Sequence, residues 1–146
     1  MSRILPYKTD AGSGSLEQMA LAEFCEENFN SHVKTLKNKL QKKSEAICNA
    51  LDKYFGSSAE YKKPDGGIFV WVDMHKKVDT SRLYELALKD GVAINPGNEW
   101  SINKSGRHKM RLCFGNPSIK EIDEGIKRLA IICRKEFGIP TKIANL

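Results

Sequence analysis

No stretch of this chain is apolar for long enough to cross a bilayer. The longest uninterrupted apolar runs, Ile68 to Val72 and Leu129 to Cys133, fall far short of the roughly 20 residues that a span requires. The opening Met1-Ser2-Arg3-Ile4-Leu5-Pro6 lacks an apolar core followed by a small-residue cleavage site, so it does not read as a secretory signal. There is no Gly-x-Ser-x-Gly elbow, no Walker loop and no Gly-x-Gly-x-x-Gly, and Gly12-Ser13-Gly14 is too short to cradle a phosphate. The 4 cysteines, Cys25, Cys48, Cys113 and Cys133, share no metal-type spacing and lie in apolar stretches. They read as buried free thiols of a cytoplasmic protein, with no metal site. His32, His75 and His108 are scattered, without a carboxylate or cysteine at ligand or triad spacing, and are expected at the surface.

What remains is the composition of one ordinary soluble domain: 146 residues, 40% hydrophobic, 29% charged and 8% aromatic. A chain of this length buries about two-thirds of its unfolded surface and holds a core without staples, whereas a large multi-domain enzyme is excluded. The formal charge of +6, from 24 basic against 18 acidic residues, raises the question of nucleic acid. Lys34, Lys37, Lys39, Lys42 and Lys43 interleave with Val33, Leu36, Leu40 and Ile47 at helical spacing, which describes a helix with an apolar stripe and a solvated basic face. A second cluster comprises Lys104, Arg107, His108 and Lys109. No aromatic residues punctuate the lysines as stacking platforms, and no helix-turn-helix or zinc spacing occurs, so the charge does not point to nucleic-acid binding.

Residues 1–14 read as an irregular lead. Ser15-Leu16-Glu17-Gln18 has the form of a capping box opening a helix, with Leu16, Met19, Ala20 and Phe24 as its expected buried face. Asn28-Phe29-Asn30-Ser31 interrupts that pattern, so a separate, longer helix is expected from about His32 to Tyr54, ending near Gly56. Lys63-Pro64-Asp65-Gly66-Gly67 is a turn signal. The five β-branched or aromatic residues Ile68 to Val72 show no polar alternation and predict a strand covered on both sides. Asp79 or Thr80 caps a short helix carrying Leu83, Leu86 and Ala87 and stopping at Asp90-Gly91. Val92 to Ile94 predicts a second strand and Met110 to Phe114 a third, with Met110, Leu112 and Phe114 on one face. Ser118-Ile119-Lys120-Glu121 is a second capping box, opening a helix that runs to Gly138 through Ile119, Ile122, Ile126, Leu129, Ala130 and Cys133. Long helices followed by strand, helix, strand, strand and helix describe a small α/β layer, a short sheet packed against helices. Residues 15–138 read as one domain and 139–146 as a tail with no expected core role.

Two features carry chemistry. Arg111 interrupts an apolar strand, so its guanidinium either faces solvent or meets an anion, because a buried unpaired charge costs several kcal/mol. Its planar fork suits a bidentate carboxylate. The loop Asn95-Pro96-Gly97-Asn98-Glu99-Trp100 leaves a strand end, where loops line sites as well as make turns.

The order of four blocks is more informative than any one. Pro64 to Val72, Gly91 to Trp100, Met110 to Phe114 and the Ser-capped helix after it resemble the C-terminal part of fold-type I aminotransferases dependent on pyridoxal phosphate (PLP). The resemblance is to the class I/II branch that includes kynurenine and 2-aminoadipate aminotransferases, and it extends to Ser15 to Leu51. It implies an α/β fold of small C-terminal domain type, amino acid and 2-oxo acid substrates, and a homodimeric parent. By that resemblance Arg111 grips the substrate α-carboxylate, while Asn98 and Trp100 border the substrate pocket. Trp100 stands where Phe is usual, and Met74-His75 replaces a more usual Leu-Pro. The family's Schiff-base lysine lies in a Ser-x-Ser-Lys-like segment that this sequence does not contain, and the surroundings of Lys8 do not match it. The partners of the pyridine ring belong to the same PLP-bearing region. No catalytic residue is therefore expected in this chain, its cofactor contacts are unassigned, and the chain alone is expected to be inactive. The same C-terminal blocks occur in regulators that carry an aminotransferase-like effector half behind a DNA-binding domain, which is an alternative, as is a non-catalytic interaction module.

Overall fold

A computed structural model describes residues 14–101 and 105–142, so the expected lead over residues 1–13, together with residues 143–146 of the expected tail, lies outside the described residues. Helix α1 is Ser15–Tyr54, α2 is Thr80–Lys89 and α3 is Ile119–Phe137. The strands are β1 Ala59–Tyr61, β2 Phe69–Met74, β3 Asn95–Pro96 and β4 Lys109–Cys113, with 3-10 turns at Gly56–Ser58 and Gly97–Trp100. The chain divides into two units, Met1–Lys37 and Asn38–Leu146.

In the first unit the described residues are helical from Ser15. The expected interruption at Asn28 to Ser31 does not occur, and α1 is one helix of 40 residues. The polar side chains that threatened it bond to carbonyls of the helix itself: Asn28 Nδ2 donates to Phe24 O at 3.2 Å, Ser31 Oγ to Asn28 O at 2.9 Å and Thr35 Oγ1 to Ser31 O at 3.0 Å. Such bonds compete with helix only when they redirect the backbone, and here they leave it helical. The expected buried face is also corrected. Leu16 is 79% exposed, Met19 68%, Phe24 43%, and Ala20 is likewise exposed. Helical periodicity identifies a stripe but not what covers it.

The second unit holds the core. The strands form one antiparallel sheet in the order β1-β2-β4-β3. Val70, Val72 and Met74 from β2, with Met110 and Leu112 from β4, are buried in one cluster with Ile47, Leu51, Leu83, Ala87, Ile122, Ile126, Leu129 and Cys133. Helices thus cover one face of the sheet. Each such leucine or isoleucine contributes about 1.5–3 kcal/mol through removal from water. The other face carries Phe69, Trp71, Lys109 and Cys113, all exposed. The expectation that Ile68 to Val72 is covered on both sides is therefore corrected: Val70 and Val72 point inward, while Ile68, Phe69 and Trp71 remain exposed. Cys113 is likewise exposed and Cys25 only half-buried, against the expectation of buried thiols, which Cys48 and Cys133 meet; all 4 cysteines are free.

Two of the three expected caps form; at the start of α1, Ser15 already lies in the helix and the Gln18 amide donates to Gly14 O at 3.1 Å, so the expected Ser15–Gln18 capping box is not seen. Asp79 Oδ1 accepts from the amides of Ser81 and Arg82 at 3.0 and 3.4 Å, and Ser118 and Glu121 form a reciprocal capping box. Gly138 closes α3 at φ 62°, a conformation that favours glycine. Three further details differ from expectation. β1 was not foreseen, being a three-residue edge strand with one exposed and one half-buried position. Val92 to Ile94 is not a strand, because the Val92 amide is spent on Ala87 O at 2.8 Å in closing α2; pairing begins at Asn95, and Pro96 sits on an edge strand, where no ladder donor is required. Finally, the chain after Phe137 does have a core role. Ile139 is buried, Pro140 O accepts from Ser58 Oγ at 2.6 Å and the Lys142 amide donates to Tyr54 O at 2.8 Å.

Candidate functional site

Alternation along β4 places Met110 and Leu112 in the core, and therefore Lys109, Arg111 and Cys113 on the open face. On β2 the same rule turns Phe69, Trp71 and Asp73 to that face. The register sets Trp71 opposite Arg111 and Phe69 opposite Cys113, and on the other side of β4 it sets Asn95 opposite Arg111.

A close backbone crossing brings the loop after β3 to the arginine. A Cβ on Gly97 would lie 2.6 Å from Gly106 O and 2.7 Å from Lys109 O, and one on Gly106 would lie 2.4 Å from the Gly97 carbonyl carbon. Only glycine permits this approach at either position. The hairpin end is tied down as well: Thr80 donates to Arg107 O through both its amide, at 2.9 Å, and its hydroxyl, at 3.0 Å. The Ser105 amide donates to Ser101 Oγ at 3.0 Å.

With the loop so held, the Arg111 guanidinium carbon lies 3.9 Å from the centre of the Trp100 ring and 4.1 Å from that of Phe69. Both are within cation–π range. The other described members of this basic cluster have acidic partners. Arg107 Nε meets Asp79 at 3.1 Å, while His108 Nε2 and Lys109 Nζ meet Asp73 at 3.3 and 3.1 Å. Arg111 forms no ion pair among the described residues, and its Nε is buried without a hydrogen-bond acceptor. Asn98, in the same turn as Trp100, has a buried Oδ1 that also lacks a partner among the described residues. The structure thus joins Arg111 and Trp100, and places Asn98 on the same loop without a recorded contact to Arg111. Phe69 escaped the sequence reading, because an unbroken apolar strand carries no alternation to show which side chains face outward.

Among the described residues no group of His, Cys, Asp or Glu is gathered to hold a metal. A cavity of about 900 Å³ between Gly91 to Ala93 and the start of α3 does not include Arg111. The strongest thiol and phenol shifts mark packing rather than a nucleophile. Burial pushes the Cys133 thiol up to about 12; burial and a bond to Asp52 raise the Tyr61 hydroxyl.

Residues 4–129 match the family model for class I and II aminotransferases. The chain belongs to that family. It is 30% identical over 120 residues to the 2-aminoadipate transaminase of Thermus thermophilus, covering 82% of this chain and 30% of that protein. It is 32% identical over 132 residues to an uncharacterized HTH-type transcriptional regulator of Bacillus subtilis, covering 90% of this chain and 27% of that protein. Among solved structures, it superposes on the α-aminoadipate aminotransferase LysN of Thermus thermophilus with a TM-score of 0.80 at 28% identity, covering 88% of this chain and 33% of that one. The kynurenine aminotransferase of Pyrococcus horikoshii gives 0.69 at 30% identity, covering 75% and 27%. The chain therefore spans about a third or less of the length of these family members.

The family implies PLP, whose binding needs an amine for the Schiff base, donors for the phosphate and an acid for the pyridine nitrogen. Among the described residues, the open face around Arg111 instead offers one cation without an acidic partner, between aromatic walls. That set fits a small carboxylate and does not by itself fit PLP.

Proposed function

We propose that residues 15–138 are the C-terminal domain of a PLP-dependent aminotransferase that moves an α-amino group from an amino acid to a 2-oxo acid, in a cytoplasmic homodimer. In this reading Arg111 grips the substrate α-carboxylate, and Asn98 and Trp100 border the pocket. The observation that carries it is the Arg111 guanidinium, flanked by Trp100 and Phe69, with a buried Nε that lacks an acceptor among the described residues. A carboxylate supplies that acceptor through charge-assisted bonds. Held at one rigid bidentate contact, the substrate is oriented about its Cα, and orientation of this kind removes much of the entropic cost of reaction. The amino-transfer chemistry itself belongs to the cofactor and to a lysine that this chain's motifs do not supply.

The test has two parts. The isolated chain mixed with PLP should yield no borohydride-trapped lysine adduct at a defined site and no transamination with common amino donors; a single trapped lysine with turnover would refute the division of labour. In a complete enzyme carrying this domain, Arg111→Ala should raise KM for amino acids at least about tenfold, the loss of one charge-assisted contact, with PLP retained. Unchanged kinetics would remove the carboxylate role.

A second reading, the effector half of a regulator, is favoured by the similarity to regulators such as the one from Bacillus subtilis. A DNA-binding domain encoded in frame ahead of this segment would decide for it.

A further inference from the structure

Arg111 is approached from opposite sides. Phe69 comes from β2 and Trp100 from the turn after β3, and the strand order β2-β4-β3 sets β4 between them. Ring centres at 4.1 and 3.9 Å from the guanidinium carbon leave no room for another group between the ion and either ring, because stacked planar groups need about that separation. What the two rings leave uncovered is the edge, where the N–H bonds lie. The buried Nε is part of that edge and has no acceptor among the described residues. Building on the carboxylate reading above, we propose that Phe69 and Trp100 are positioning residues that make the Arg111 edge a slot selective for planar carboxylates over tetrahedral oxyanions.

The physical basis is the shape of the ligand. A carboxylate lies in the guanidinium plane and makes two parallel N–H···O bonds without leaving it. A sulfonate or phosphonate that makes the same two bonds must project its remaining oxygen out of plane, toward a ring face. Aromatic faces carry the negative end of the ring quadrupole and disfavour an anionic oxygen there. The rings also keep the flexible arginine stem from rotating, so less rotamer freedom is lost when the ligand binds.

The test uses the chain itself, labelled with nitrogen-15, titrated separately with propionate and ethanesulfonate while the Arg111 Nε–Hε signal is followed; Arg111→Lys identifies that signal by its loss. Propionate is expected to bind at least about tenfold more tightly than ethanesulfonate. Phe69→Leu and Trp100→Leu should each narrow that ratio to within about threefold and weaken propionate several-fold, the size of one lost cation–π contact. Phe69→Tyr and Trp100→Phe should restore the wild-type ratio, which a merely structural role would not predict. Trp100 is 54% exposed, so its variant tests the slot even if Phe69→Leu fails to fold. Equal binding of the two anions, or a ratio unchanged in Trp100→Leu, overturns the slot while leaving the carboxylate reading standing. If neither anion moves the Arg111 signal, both fall.

Discussion

Trp71 and Arg111 stand directly opposite each other in the β2–β4 register, on the sheet face turned away from the core. One strand position further, Val70 and Leu112 pair on the inner face and are buried. The same alternation that builds the core thus puts an aromatic residue and the unpaired cation together outside it.

Arg111 adds little to stability, because its buried Nε lacks an acceptor among the described residues, a cost of about 1–3 kcal/mol that offsets its two aromatic contacts of about 0.5–1 kcal/mol each. Arg111→Leu should leave the urea midpoint of the isolated chain nearly unchanged, within about 1 kcal/mol, while abolishing the response to propionate. A destabilisation of several kcal/mol would show that the guanidinium is a structural element.

The two halves of α1 should respond differently to truncation. Leu51→Ala, at a fully buried site, should cost about 2–5 kcal/mol. Leu16→Ala, at a site 79% exposed, should stay within about 0.5 kcal/mol. Equal losses in chemical denaturation would mean that the isolated chain covers Leu16 in solution.

Asp123 is held below the ordinary carboxylate value of 3.8 by hydrogen bonds from Lys53 and Tyr54, Lys53 contributing most. A depressed folded-state value gives stability that is complete above the unfolded value and is lost as pH falls through the folded one. Thermal stability should therefore decline below about pH 4, with a smaller decline in Asp123→Asn. Identical acid limbs for the two proteins would show that Asp123 is not linked to folding.

Thiol reactivity should separate the cysteines. Cys113 is exposed, whereas Cys133 is buried with its thiol raised to about 12, and the thiolate is the reactive form. Native-state alkylation followed by mass spectrometry should modify Cys113 well before Cys133. Cys133 reacting first would place the β4 face inward.

Removing the Ser118 hydroxyl opens the capping box of α3. Ser118→Ala should cost about 1 kcal/mol in urea denaturation. No loss would mean that solvent satisfies the freed amide equally well.

How much of this was legible beforehand follows from how local each signal is. The caps at Asp79 and Ser118 depend on a few adjacent residues, and both form as the sequence predicts. The face containing Ile122, Ile126, Leu129 and Cys133 repeats at helical period and is buried as expected. Arg111 was conspicuous because a charge within an apolar strand needs an explanation whatever lies nearby. Asn28 to Ser31 misled, since polar side chains that favour a break in one setting bond to helix carbonyls in another.

The residues alone therefore determined the helices of the second unit, their ends, the strand bearing Arg111 and the ordered blocks that mark an aminotransferase. Only the tertiary structure decided which side of β2 faces the core, because Ile68 to Val72 is apolar throughout and carries no alternation of its own. Only it brought Phe69 and Trp100 to Arg111, since that meeting depends on strand order and on the crossing of Gly97 with Gly106. A non-local contact of this kind is set by packing, which no local pattern in the sequence records.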